Sequence, residues 1–268
     1  MEYTSITSRK NETVTRARLL STDKKERDTT GLFALEGYKL LEEAEQSGLC
    51  VRSVFFTDKA LASYAPLLEK CSDASLYHVT DEVFEKLSTE AAPQGLYACV
   101  QKPADVPLSA KSFAEGSLIL LEDVQNPANL GAIVRSAFAF GFDRIVYTAA
   151  SADPYSPKTV RAAMGSLFRI RAYRVDTLSE VISPLCENGN RVFCTLLSDT
   201  SVRLGDVSFL PSDSFVIGNE GHGASAETAK ACSHSLYIPM KPGAESLNAA
   251  SAASVVLWEA GMRRTYTK

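Results

Sequence analysis

The second half of the chain places an asparagine and an arginine at a spacing that could bind an anion. A turn at Asn126-Pro127 leads to Asn129, and Arg135 follows six residues later. Asn129 is a typical helix N-cap residue, so we predict that a helix begins there. Arg135 then lies nearly two turns inside, among mostly apolar or small residues, where a guanidinium needs a partner or an anion. Taken alone, it fits a structural salt bridge as well as a phosphate- or ligand-binding role.

A glycine-rich loop follows a predicted buried strand further along. The apolar run 215–217 leads into Gly218-Asn219-Glu220-Gly221-His222-Gly223. Glycine lets the backbone approach a ligand closely, and open α/β sheets bind ligands at the carboxyl ends of their strands. Glu220 adds a carboxylate that could hold Arg135 or an amine. The alternative is an ordinary glycine-rich turn, and for His222 we favour a backbone-contacting or exposed role over a catalytic one.

Ser246 and Asn248 precede a helix that is rich in alanine and serine. Ser246 is predicted to be the N-cap of this helix, which we place over residues 246–263. Small residues on every side of the helix permit close backbone packing, so a tightly packed helix without further role is the alternative.

Several common patterns are absent from the sequence. It contains no G-x-G-x-x-G after a strand, no G-x-x-x-x-G-K-[ST] and no G-x-S-x-G. The three histidines are not at metal-binding spacing, and none of the six cysteines forms a C-x-x-C pair. These absences count against dehydrogenases, P-loop NTPases, serine hydrolases and zinc modules, and no metal is expected.

The elements that must position these three segments alternate between strands and helices. Strands are predicted over 117–121, 144–148, 168–175, 191–197, 214–217 and 236–238, and helices over 130–140, 158–164, 178–187, 226–231 and 246–263. This alternation predicts an α/β fold with a mostly parallel sheet covered on both faces. A smaller α/β unit precedes the proline-containing stretch 102–108, so we predict two domains, residues 1–107 and 108–268.

The composition is that of an ordinary soluble globular protein, with 45% hydrophobic and 22% charged residues in 268. No apolar run approaches the roughly 20 residues of a membrane helix, so no membrane partner is expected. The net charge of −4 argues against wholesale electrostatic binding of nucleic acid. The first 27 residues nevertheless carry a net +3, which fits a phosphate-contacting arm or a solvated helix. Scattered cysteines favour a reducing, cytoplasmic location.

Together and in this order, the three segments resemble the motifs of the SpoU (TrmH-like) family of the SPOUT methyltransferase superfamily. The shared patterns are N-x-G-x-x-x-R from Asn129, G-N-E-G-x-G from Gly218 and S-L-N-x-x-x-A from Ser246. The resemblance covers roughly residues 117–264. The stretch Phe33-Ala-Leu-Glu-Gly37 looks like part of the substrate-binding domain that often precedes this catalytic domain.

The resemblance implies transfer of a methyl group from S-adenosyl-L-methionine to a ribose 2′-hydroxyl of structured RNA, with 23S ribosomal RNA favoured over transfer RNA. It also implies a trefoil knot in the C-terminal domain, RNA binding by the N-terminal domain, and a homodimer to which the alanine-rich helix contributes. DNA is not expected, because the 2′-hydroxyl is what distinguishes RNA from DNA. The alternatives are a non-catalytic RNA-binding member of the fold and an enzyme that methylates a base.

The family motifs also imply site residues. The implied catalytic residues are Asn129, Arg135, Glu220, Ser246 and Asn248. The implied cofactor-binding residues are Leu196, Gly218, Ile238, Met240 and Leu247. Further basic residues that could contact RNA are Lys158, Arg161, Arg169, Arg171 and Arg174.

Within this resemblance we expect Arg135 to act as a cation, because a guanidinium stays protonated in proteins. It would bind the adjacent phosphate and hydroxyl and stabilise developing alkoxide charge, while the phosphate or water accepts the proton. Asn129 and Glu220 would orient Arg135 or the ribose. Ser246 and Asn248 would order their loop and contact RNA.

Overall fold

The computed structural model of the protein describes residues 1–104, residue 108 and residues 116–265. These residues form two compact units. The first contains Met1–Ala104 together with Asp153–Phe168, and the second contains the described residues from 108 to 152 and from 169 onward. Residues 153–168 follow the predicted boundary at 107–108 in sequence, yet they pack with the first unit.

The first unit is built on a five-stranded mixed sheet in the order β1-β4-β3-β5-β2. Its strands are β1 (Thr4–Ile6), β2 (Leu32–Glu36), β3 (Val51–Phe56), β4 (Ser75–Val79) and β5 (Leu96–Gln101), and its helices are α1 (Glu12–Thr22), α2 (Lys24–Thr30), α3 (Tyr38–Gln46), α4 (Asp58–Lys70) and α5 (Asp81–Leu87). One sheet face presents Phe55 and Tyr97 to α1 and α5, whose Val14, Leu20 and Phe84 are buried. Period-2 strands and period-3.6 helices thus share one apolar core.

Segment 153–168 supplies a further helix, α7 (Pro157–Ala163), to the first unit. Arg27 of α2 binds Asp153 at 2.7 Å through Nη2 and donates from Nη1 to the Leu20 carbonyl at 2.8 Å. Because Arg27 is only 5% exposed, it is a structural ion-pair residue. Arg27, one of the basic residues among the first 27, is therefore committed to these contacts and does not support a phosphate-contacting arm.

The second unit is built on a seven-stranded parallel sheet in the order β10-β12-β9-β11-β6-β7-β8. Its strands are β6 (Ile119–Leu121), β7 (Arg144–Thr148), β8 (Arg171–Val175), β9 (Val192–Thr195), β10 (Val202–Arg203), β11 (Ser214–Ile217) and β12 (His234–Tyr237). Every residue of β6 and β11 is buried, as expected for central strands covered on both faces. The predicted mostly parallel α/β architecture is confirmed, and the implied knot stays a prediction.

In the described part of the second unit, four helices accompany this sheet: α6 (Pro127–Ala139), α8 (Ser179–Glu187), α9 (Ala226–Ala231) and α10 (Ala249–Thr265). Val181 and Leu185 of α8 pack against the sheet beside Val146 and Val192. Helices α6 and α10 pack against each other, and Ser136 Oγ lies 2.7 Å from Ser254 Oγ.

One predicted strand is shorter in the structure than expected. The strand predicted over 168–175 begins at Arg171, because Ser166–Arg169 forms a short 3₁₀ turn. Arg169 therefore does not lie on the strand with Arg171. Helix α4 continues through Pro66, and its non-helical backbone at Tyr64 absorbs the break that proline imposes. Within the described residues, no helix has the length and apolar character needed to cross a membrane.

Candidate active site

The site lies at the carboxyl edge of the parallel sheet, where three loops leave neighbouring strands. Strand β11 pairs with β6 on one side and with β9 on the other, and β9 pairs with β12. The segments that follow Leu121, Ile217 and Tyr237 therefore emerge at one edge. These are the three segments that carry the sequence motifs.

Helix α6 begins one turn earlier than predicted. Asn126, not Asn129, is the N-cap, and its side chain accepts a hydrogen bond from the Ala128 amide at 2.9 Å. Pro127 occupies the first helical position, where its missing N–H has no consequence. Asn129 is thereby moved into the first turn, where it is buried and its amide is free to bridge other segments.

Asn129 joins all three segments through one carboxamide. Its Nδ2 donates to Glu220 Oε1 at 3.0 Å, and its Oδ1 accepts from Asn248 Nδ2 at 3.0 Å. Asn248 Oδ1 in turn accepts from the Ala250 and Ser251 amides. Asn248, not Ser246, is therefore the N-cap of α10. Every donor in this chain of contacts meets an acceptor, which fixes the orientation of both carboxamides.

Glu220 is held as an anion by donors from the loop between β6 and α6. Oε1 accepts from the Asn126 amide at 2.9 Å, and Oε2 accepts from the Gln125 amide at 3.1 Å. Partial burial alone would raise the pKa of Glu220, but the Asn129 carboxamide and these backbone N–H groups outweigh it and lower that pKa below its ordinary value. Glu220 is therefore a poor proton acceptor and a strong anchor for the glycine-rich loop.

The glycine-rich loop is closed on itself and tied to β6. Asn219 and Gly223 exchange two backbone hydrogen bonds of 3.0 Å. Asn219 Nδ2 also donates to the Asp123 carbonyl at 2.8 Å. At Gly218, a Cβ atom would lie 2.1 Å from the Ala224 nitrogen, so only glycine fits where the two ends of the loop cross.

A cleft of about 520 Å³ lies beside this loop. All five residues implied as cofactor contacts line it: Leu196, Gly218, Ile238, Met240 and Leu247. Leu197 in its wall is 77% exposed, and Met240 and Leu247 are each 42% exposed. Apolar walls beside exposed loop backbone suit a planar heterocycle, whose faces need apolar contact and whose edge needs N–H and C=O groups. The lining therefore fits S-adenosylmethionine.

A second, more polar cleft of about 570 Å³ adjoins the first. It is lined by Asn126, Asn129, Asn248 and neighbouring residues, and it shares Glu220, Ser246, Leu247 and Ala249 with the first cleft. Four of the five implied catalytic residues thus meet here. Two clefts with a common wall can hold a donor and an acceptor side by side, which group transfer requires.

Arg135 is the implied catalytic residue that does not join this network. It is exposed on α6, it lines neither cleft, and among the described residues it makes no hydrogen bond or ion pair. Glu220, which could have held Arg135, instead accepts hydrogen bonds from the Gln125 and Asn126 amides and from Asn129. The prediction that Arg135 lies among mostly apolar residues was wrong, because Arg135 is exposed to solvent on α6.

Three contributors were missed by the sequence reasoning. The Gln125 and Asn126 amides act through the backbone, for which side-chain patterns give no signal. Asn219 acts through its carboxamide and could have been suspected as the one amide side chain among three glycines. No group of histidine, cysteine, aspartate or glutamate side chains in the described part of the chain could hold a metal ion.

The sequence matches two family models. The model of the SpoU rRNA Methylase family matches residues 116–258, which contain both clefts. The model of the MRM3-like substrate binding domain matches residues 11–98.

Characterised relatives and solved structures agree with these matches. The 23S rRNA (guanosine(2553)-2′-O)-methyltransferase of Bacillus subtilis is 31% identical, with 94% of this chain and 97% of that protein aligned. The 23S rRNA (uridine(2479)-2′-O)-methyltransferase of Streptomyces viridochromogenes is also 31% identical, over 90% and 86% of the two chains. The crystal structure of an AdoMet-bound rRNA methyltransferase from Sinorhizobium meliloti aligns with a TM-score of 0.84 at 28% identity, covering 99% of each chain.

Proposed function

The chain belongs to the SpoU rRNA Methylase family, and we propose on this basis that it methylates a ribose 2′-hydroxyl of ribosomal RNA, with 23S rRNA as the favoured substrate. The observation that carries this proposal is the pair of adjoining clefts. One has the apolar walls and backbone edge that suit S-adenosylmethionine, and the other is polar and anchored by Asn129. Residues 108–268, apart from the segment 153–168 that packs with the first unit, would perform the methyl transfer, and residues 1–107 would bind the RNA.

S-adenosylmethionine would be held by Leu196, Gly218, Ile238, Met240 and Leu247, and when bound it supplies an electrophilic methyl group. Gly218 and its neighbours would contact it through the backbone, while Met240 and Leu247 would cover an apolar face. The exposed state of Leu197, Met240 and Leu247 supports this assignment, because a bound heterocycle would remove their apolar surface from water.

The polar cleft would hold the ribose. Glu220 would act as an anchor and not as a base, since its oxygens already accept three hydrogen bonds and its pKa is lowered. Asn129 and Asn248 would fix the positions of the loops. Ser246 is exposed and lines both clefts, and it would contact the RNA. The 2′-hydroxyl proton would leave to a phosphate oxygen or to water as the new oxygen–carbon bond forms and the sulfur–methyl bond breaks, with neutral S-adenosylhomocysteine as the leaving group.

Arg135 would stabilise the developing alkoxide from a second molecule. Helix α6 exposes Phe138, three residues after Arg135, at 39%, and α10, which packs against α6, exposes Val255 and Trp258 at 39% and 46%. We propose that these helices form the contact of an isologous homodimer, through which Arg135 reaches a cleft of the partner. Light scattering is expected to give a dimer for the wild type and a monomer for Trp258→Glu. The control Leu19→Glu changes an exposed leucine of the first unit and should stay dimeric, and a monomeric wild type would refute this contact.

A methyl-transfer assay tests the function itself. Purified protein is incubated with methyl-tritiated S-adenosylmethionine and either 23S rRNA, 16S rRNA or bulk transfer RNA, and labelled nucleosides are identified by mass spectrometry. We expect a 2′-O-methyl nucleoside in 23S rRNA. Label in a base would contradict ribose chemistry, label in transfer RNA would contradict the substrate class, and an absence of transfer with cofactor bound would indicate a non-catalytic RNA-binding protein. A ribosomal substrate, together with the scattered cysteines, favours a cytoplasmic location.

A further inference from the structure

Glu122 directly follows β6 and binds the far end of the glycine-rich loop. Its Oε2 accepts from the Ser225 amide at 2.8 Å, and its Oε1 accepts from Ser225 Oγ at 2.7 Å and from Thr228 Oγ1 at 2.6 Å. Thr228 is only 3% exposed. Three short contacts to one carboxylate, one of them to a buried hydroxyl, make a strong and geometrically defined anchor.

The residues that Glu122 binds are the exit of the loop that lines the cofactor cleft. The loop leaves β11 at Gly218, crosses itself where Ala224 approaches Gly218, and reaches Ser225 one residue later. Ser225 is also the N-cap of α9, and its Oγ accepts from the Thr228 amide at 3.1 Å. Glu122 therefore fixes the point at which the loop becomes helix.

The start of the same loop is held by Asp123, the residue that follows Glu122. The Asp123 carbonyl accepts from Asn219 Nδ2, and Asp123 adopts a positive φ of 51° that turns its carbonyl into place. A positive φ at a non-glycine residue persists only where its surroundings hold it. Thr148 provides that hold, because its Oγ1 donates to Asp123 Oδ1 at 2.6 Å and accepts from the Asp123 amide at 2.8 Å.

We propose that Glu122 is a positioning residue that sets the affinity for S-adenosylmethionine by holding the 218–224 loop in its binding conformation. The inference rests on the proposed function and extends it to a residue that contacts neither cleft. Without this anchor the loop has to be ordered when the cofactor binds, and that ordering lowers affinity. Once the cofactor is bound, methyl transfer uses the same residues with or without this anchor, so the kcat at saturating cofactor changes little.

Glu122→Gln tests this role because the amide keeps the shape of the side chain and removes its charge. Isothermal titration calorimetry should show a Kd for S-adenosylmethionine raised about tenfold, which corresponds to about 1.4 kcal/mol. The kcat at saturating cofactor should stay within threefold, and exchange of the 219–225 amides with deuterium should accelerate. An unchanged Kd, or a loss confined to kcat, would overturn the proposal.

The matched control is Glu180→Gln. Glu180 also accepts from a backbone amide and a hydroxyl at a helix start, those of Thr177, but it lines neither cleft. It should leave the cofactor Kd unchanged, and a Kd raised as much as in Glu122→Gln would show that general destabilisation is the cause.

Ser225→Ala completes a double-mutant cycle on the Kd. Because Glu122 acts through Ser225, the two changes should be non-additive, with the double variant close to Glu122→Gln alone. Additive effects on the Kd would refute the inference that Glu122 acts through Ser225. If Glu122→Gln fails to fold, Ser225→Ala alone should still raise the Kd severalfold, and an unchanged Kd there would overturn the proposal. A wild type that binds no S-adenosylmethionine would refute the proposed function itself, whereas a binding wild type with unaffected variants refutes only the role of Glu122.

Discussion

Asn129→Asp replaces one NH₂ group by oxygen and makes activity depend on pH in a defined direction. The new carboxylate can still accept from Asn248 Nδ2, but it faces Glu220 Oε1 at the 3.0 Å where the wild type has a hydrogen bond. Two like charges at this distance raise the pKa of the pair, so one proton becomes shared between them as the pH falls. The shared proton restores an O–H···O contact in place of the lost N–H···O contact.

The expected loss follows from two contributions. A hydrogen bond to a charged group contributes about 1.5–3 kcal/mol. The repulsion adds to this, although solvent at the exposed Glu220 reduces it to about 1 kcal/mol or a little more. Since about 1.4 kcal/mol is tenfold, kcat/KM for RNA should fall about a hundredfold at pH 8. About tenfold of that loss should be recovered at pH 6.

The assay is kcat/KM for methyl transfer between pH 6 and 8.5, expressed as the ratio of variant to wild type, because deprotonation of the 2′-hydroxyl imposes its own pH dependence. Asn129→Ala is the control. It loses both side-chain contacts without adding charge, so its ratio should be low and flat. An Asn129→Asp ratio that is also flat would show that Asn129 and Glu220 do not face each other in the active enzyme.

Three further outcomes follow from the same geometry. Because the pKa of Glu220 is lowered in the folded protein, its ionised form stabilises the fold at pH values above the pKa of the unfolded chain, near 4.5, and this stability is lost as the pH falls through the lowered pKa. The Tm difference between wild type and Glu220→Gln should therefore shrink between pH 6 and pH 3. A constant difference would contradict this role of Glu220. Gly218→Ala should weaken S-adenosylmethionine binding in calorimetry by tenfold or more, whereas Gly221→Ala, whose Cβ would meet nothing closer than 3.4 Å, should have a much smaller effect. Arg27→Met leaves Asp153 buried without its partner and should lower the free energy of unfolding by about 3–5 kcal/mol in urea titration, while Arg16→Met, which breaks an exposed pair at 3.9 Å, should change it little.

The sequence was sufficient to predict the parallel sheet and to bring its three loops to one edge, because a buried strand followed by polar residues defines where a loop leaves a sheet. It was less able to define helix starts. Asn126 and Asn129 are equally good capping residues, and Pro127 was the available signal, since proline favours the first helical position. Ser246 and Asn248 pose the same problem two residues apart. One misplaced turn changes a residue's role from capping the backbone to bridging loops, as it does for Asn129.

Other features could not be read from local sequence. The packing of Asp153 against Arg27 joins residues 126 positions apart, and neither residue carries a pattern that indicates the other. The sequence likewise gives no sign that backbone amides hold Glu220, because every residue except proline has an N–H.

The position of Arg135, in contrast, could have been predicted from the sequence, because helical geometry alone places it on a different side of α6 from Asn129. Six residues at 100° each place the two side chains about 120° apart around α6, and about 9 Å apart along its axis. Asn129 faces inward to Glu220 and Asn248, so Arg135 has to face away from them. For Arg135 to act in the proposed reaction, it would have to meet the reacting oxygen through a second molecule, either a partner subunit or bound RNA. In the proposed reaction the anion and amide groups of the site come from one chain, whereas its cation, Arg135, would depend on that second molecule.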